Sequence, residues 1–139
     1  MKKIFSLVLA ITFIFAMMTP AVSAAPLYRT VDGGNITTAR ASLTIEDNGN
    51  AQISLTCIAL SSATKISAKF YLEKKVGNEW EMVVFDPDAP YFRSSTTEPS
   101  LLVTRNLALY ERGEYRVVAI YTVTAGTTET TTVMSYDTY

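Results

Sequence analysis

The chain contains no histidine, so the side chain that most often exchanges protons near neutral pH, and most often ligates transition metals, takes no part in its chemistry. Cys57 is the single cysteine and cannot build a zinc site, and no Gly-x-Ser-x-Gly elbow presents a serine nucleophile. Glu79 and Glu81 lie two apart on one strand face, about 7 Å from each other by the strand rise, inside the loose range of paired glycosidase carboxylates. That face is expected to be solvated, so an ordinary polar surface accounts for the pair. Asp86, Asp88 and Glu98 bracket a long loop and could offer oxygen ligands to calcium, although Asp-Pro-Asp is also simple turn chemistry. Within the same loop stand Tyr91, Phe92 and Arg93, an aromatic pair and a cation of the kind enriched at interface hot spots. The same rings could instead fold back to cap the core. These residues together describe a non-catalytic protein that calls for no cofactor.

The elements that must position them are read from period-two alternation. Ala41, Leu43 and Ile45 face one way, and Asp47-Asn48-Gly49-Asn50 supplies turn residues before Ala51, Ile53, Leu55 and Cys57 share the next buried face. A third strand puts Ile66, Ala68, Phe70 and Leu72 inward and Lys65, Ser67, Lys69, Tyr71 and Glu73 outward. Gly77-Asn78 turns the chain into a strand with Trp80, Met82 and Val84 inward and Glu79 and Glu81 in solvent. Asp86 to Ser100 reads as a fifteen-residue loop with three prolines, a length uncommon inside a compact domain unless it is functional. Leu101 to Thr104 is a short strand. Tyr115 to Val123 is apolar on both faces, with Val118 and Ile120 outward, and a threonine-rich strand follows around Glu129 to Tyr136. About seven short strands without helical periodicity describe an all-β antiparallel sandwich.

Lys2 and Lys3 precede an uncharged run from Ile4 to Met18, then Pro20, with Val22 and Ala24 at −3 and −1 of a cleavage point. This three-part layout is that of a signal peptide over residues 1–24, and the apolar run is shorter than the ~20 residues a bilayer span requires. Residues 25–38, with Gly33-Gly34, read as a flexible lead-in, and 39–139 as the folded domain. Cleavage removes two lysines and no acid, taking the formal charge from −1 to −3. A weakly acidic domain with scattered cations lacks the electrostatic footprint of a nucleic-acid binder. The expected product is secreted and extracellular, with no stable membrane anchor after cleavage.

Leu102, Thr104, Leu107, Glu111, Gly113 and Tyr115 sit at the spacing that joins strands E and F of immunoglobulin-like domains. On these residues the chain resembles the immunoglobulin-like superfold over Ala41 to Tyr136. The resemblance implies a tyrosine corner at Tyr115 and places Cys57 where such domains carry their first core cysteine. The second cysteine position is Val117, so the core disulfide is absent. Trp80 falls too late to be the strand-C tryptophan, and Phe70 or Tyr71 is better placed. A short leader followed by one sandwich also looks like small secreted Gram-positive bacterial proteins of unassigned activity.

The superfold is silent on function, which has to come from a site. The first expectation is a secreted binding or structural module for an extracellular protein or cell-surface glycan, with Tyr91 and Phe92 as anchors and Arg93 as a polar clamp. Alternatives are an enzyme inhibitor that inserts the 86–100 loop, and a glycan-binding module that stacks sugars on Tyr91, Phe92 or Tyr136. Val118 and Ile120 offer a self-association face. Cys57, between Leu55 and Ala59, is expected to be buried.

Overall fold

The computed structural model describes residues 34–139; the predicted signal peptide and most of the lead-in lie outside the described residues. Eight antiparallel strands form two sheets: β1 Ile36–Ile45, β2 Asn50–Ala59, β3 Lys65–Val76, β4 Glu79–Val83, β5 Phe92–Thr96, β6 Ser100–Ala108, β7 Glu114–Ala125 and β8 Thr127–Thr138. One sheet has the order β1-β2-β6 and the other β4-β3-β7-β8. β5 adds to the second sheet on the same edge as β4, pairing with Ile66–Phe70 of β3 while β4 pairs with Leu72–Val76. The result is an all-β sandwich of two antiparallel sheets, consistent with an immunoglobulin-like arrangement.

The core is what the alternation dictates. Ala41, Leu43, Ile53, Leu55 and Cys57 from one sheet meet Ile66, Phe70, Leu72, Val117, Tyr121 and Val123 from the other, all buried. Phe70, rather than Trp80, supplies the large ring of β3. At Gly49 the β1–β2 turn needs a positive φ of 87°, and a Cβ there would meet the Leu109 carbonyl at 2.5 Å. Gly49 also accepts the Leu109 N–H at 2.8 Å, which ties this turn to the end of β6. Tyr115 is buried, and its hydroxyl donates to the Glu111 carbonyl at 2.6 Å, so the tyrosine corner is formed.

Three expectations are corrected. β1 starts at Ile36, inside the span read as lead-in. β6 runs to Ala108 instead of stopping at Thr104, because it pairs with β2 over Asn50–Ile58. Its alternation was masked by Arg105, which occupies an inward register opposite Ile53 but, at a sheet edge, reaches out to place its guanidinium 4.8 Å from the Phe92 ring. The faces of β4 are the reverse of those expected. Val83 pairs with buried Leu72 and packs against the core, whereas Trp80 and Met82 pair with the outward Lys75 and Glu73. Glu79 and Glu81 share the face of Val83, yet remain exposed.

The inward face of β8 is largely polar, and the edge of β1 explains why. Backbone groups of an edge strand need partners when they are covered. The Ile36 N–H donates to Glu129 Oε2 at 3.1 Å, the Leu43 N–H to Ser135 Oγ at 3.2 Å and the Ile45 N–H to Asp137 Oδ2 at 2.7 Å. The Arg40 carbonyl accepts the hydroxyl of fully buried Tyr121. Thr131 stands in the same row of β8 at 5% exposure, and its hydroxyl has no partner among the described residues.

This difference between neighbours predicts opposite mutational outcomes. Ser135→Ala leaves the Leu43 N–H buried and unpaired and is expected to cost about 1–3 kcal/mol. Thr131→Val removes an unpaired hydroxyl at nearly constant volume and is expected to leave stability unchanged or raise it. Urea unfolding midpoints check both; a Thr131→Val loss as large as that of Ser135→Ala would contradict this account.

Candidate functional site

Pairing across the five-stranded sheet sorts its outward side chains into rows. One row contains Trp80, Lys75 and Glu114; the next contains Met82, Glu73, Arg116 and Tyr136. The third contains Tyr71, Val118 and Met134, and the fourth Arg93, Lys69, Ile120 and Thr132. Beyond these come Ser95, Ser67, Thr122 and Thr130. No described strand covers this face.

Cations and rings interleave over its first half. The Arg116 guanidinium lies 4.5 Å from the Trp80 ring and pairs through Nε with Glu73. Trp80 meets Tyr136 edge-on at 5.7 Å. Tyr71 meets Tyr91 edge-on at 5.6 Å, and Lys69 Nζ stands 3.8 Å over the Tyr91 ring. Each cation–ring contact is worth roughly 0.5–1 kcal/mol at an exposed site, and together they hold long side chains in fixed positions. Burial pushes the Tyr71 phenol up, and the Glu73 carboxylate adds to that rise. The Glu73–Arg116 and Lys75–Glu114 pairs neutralise the charge around Trp80, whereas Lys69, at the boundary with the second half, meets only the Tyr91 ring among the described residues.

Tyr91, Phe92 and Arg93 do not act as one surface. β5 places Phe92 on the inner side, 5.3 Å from Phe70 and 5.9 Å from Phe85, while Arg93 projects outward opposite Lys69. The 86–100 segment is thus partly strand. β5 escapes a sequence reading because Ser94 and Thr96 follow Phe92 on its inner side and leave no apolar alternation.

Asp86 accepts the Asp88 N–H at 3.0 Å, which is turn chemistry, and Glu98 is separated from both by β5. Among the described residues no group of three or more acidic, cysteine or histidine side chains converges on a possible metal position. Ser62 and Lys65 form a Ser-x-x-Lys spacing, with Ser62 in a turn and Lys65 opening β3. Val118 is only 3% exposed despite pointing outward, because Tyr71 and Met134 flank it, while Ile120 is half-buried. A separate concavity of about 430 Å³ is lined by Val76, Val84, Phe85, Leu109 and Tyr110, with Lys74 and Glu111 paired at its rim.

The signal that sequence reading misses is the outward cluster of Trp80, Arg116 and Tyr136, drawn from two adjacent rows. Period-two alternation hides it, because it assigns Trp80 and Met82 to the core. No protein-family model matches this chain, and no curated protein matches it in sequence.

Cys57 is fully buried and free. Burial, reinforced by the Glu129 carboxylate, pushes its thiol from about 9.0 up to about 11. A folded-state pKa raised in this way stabilises the protein fully below the unfolded value and loses that contribution as pH climbs through the folded one. Between pH 8 and pH 10 the native protein is therefore expected to lose about 1 kcal/mol more stability than Cys57→Ala, measured by guanidinium unfolding at both pH values. Equal losses in the two proteins would refute this assignment.

Proposed function

We propose that this protein is an exported, non-catalytic binding module that works through the outer face of its five-stranded sheet. The observation that carries the reading is the ridge in which Trp80 contacts both the Arg116 guanidinium and the Tyr136 ring on a sheet face that no described strand covers. Trp, Tyr and Arg dominate binding hot spots because each combines a large apolar area with a directed polar group. Their mutual contacts restrict rotamers before a partner arrives, which lowers the ordering cost of binding. Tyr91 and Lys69 extend the ridge, and with outward Arg93 they keep two members of the loop triad on this face. Export rests on the leader-like layout of residues 1–24. The class of ligand is an extracellular protein or a cell-surface glycan, and no step requires a cofactor.

Cross-linked capture from the surface of the producing cells tests the face. Trp80→Ala combined with Tyr136→Ala is expected to reduce recovery of a specific partner at least about tenfold, the loss expected for a hot spot. Leu102→Ser, on the opposite sheet at 74% exposure, is expected to leave it unchanged. Melting curves of both variants serve as the control for folding. Equal recovery by the double variant, or a loss confined to Leu102→Ser, would move the function to another surface.

A further inference from the structure

The second half of the same face differs from the ridge in one physical respect, which is that its positive charge is not neutralised. Lys65, Lys69 and Arg93 line an open groove of about 570 Å³ with Ser67, Ser95 and Thr122, and no carboxylate contributes to its wall. Lys69 and Arg93 are register partners on neighbouring strands. Like charges so placed, with Cβ atoms about 5 Å apart, repel and destabilise a sheet unless something answers them. Among the described residues neither Lys65 nor Arg93 has an ion-pair partner, and Lys69 Nζ is engaged only by the Tyr91 ring. The concentration is notable in a chain whose formal charge is −1.

We propose that this groove binds an anionic carbohydrate polymer, an inference that rests on the outer face being the working surface. Charge selects the sign of the ligand, because a net-negative domain attracts a polyanion only where cations are gathered. The spread of charge selects its length: Lys65 and Lys69 are four residues apart along β3, about 13 Å, so two acidic groups on one extended chain are met better than a single small anion. Ser95 supplies a donor and acceptor hydroxyl suited to sugar hydroxyls, the Ser67 and Thr122 oxygens keep acceptor capacity beside their own bonds to the Thr122 carbonyl and Thr130, and half-buried Ile120 gives the floor an apolar strip. Tyr91, braced by Lys69 and Tyr71, stands next to this groove as the link to the aromatic ridge.

Binding of the purified protein to immobilised dextran sulfate, with neutral dextran and poly-glutamate of matched charge as comparisons, tests the groove. The expected result is salt-sensitive binding to dextran sulfate, none to dextran, and clearly weaker binding to poly-glutamate. The exposed double substitution Lys65→Glu with Arg93→Glu is expected to weaken dextran sulfate binding at least about tenfold while the melting temperature is retained. Undiminished binding by this variant, or no binding by the wild-type protein to dextran sulfate, would overturn the groove. Equal binding to poly-glutamate would overturn the carbohydrate. If the groove fails but Trp80→Ala with Tyr136→Ala still abolishes cell-surface capture, the binding face stands without it.

Discussion

Every open β-sheet ends in strands whose backbone groups have partners on one side only, and in this sandwich the edge of β1 is answered by side chains from the facing sheet. Glu129, Ser135 and Asp137 of β8 accept N–H groups of Ile36, Leu43 and Ile45, and the Tyr121 hydroxyl meets the Arg40 carbonyl. This constraint fixes the register between the sheets, since a slip of one residue would turn the acceptors of β8 outward and present the wrong backbone groups of β1. It also makes the edge unattractive to a second chain, because inward-pointing acidic groups already occupy it. The polar inner row of β8 is therefore a condition of the fold and not a defect of the core.

The same arrangement determines which side chains of the five-stranded sheet are left for the proposed binding role. The inward positions of β8 are committed to β1, and those of β3 and β7 to the core, so the side chains at liberty to recognise something are the outward ones. Half of that outward face is balanced by its own ion pairs and carries the rings; the other half carries uncompensated cations and hydroxyls. A single sheet surface thus divides into an apolar, conformationally restrained part and an electrostatic part.

What the sequence discloses follows from how strongly burial imposes alternation. β2, β3 and β7 are flanked on both sides and bury one face completely, so their apolar residues recur every second position and are legible. Tyr115 is equally legible because the corner needs a glycine and an aromatic residue at fixed spacing. β4, β5 and β6 lie at edges, where a charged residue such as Arg105 can occupy an inward register and escape sideways, and where a tryptophan can lie outside. Lys65, Lys69 and Arg93 were visible as scattered cations, but only the pairing of β5 with β3 brings Arg93 beside Lys69. Long-range strand pairing of that kind leaves no local pattern in the residues involved.

The lone thiol of Cys57 sits where an inter-sheet bridge would otherwise begin, and no other cysteine exists to complete one. Cohesion between the sheets is assigned instead to the packed core, the Tyr115 corner and the β1–β8 contacts, none of which involves electron transfer. Folding of this domain accordingly needs no thiol oxidant to lock its conformation, and a reducing milieu has no covalent clasp between the sheets to undo.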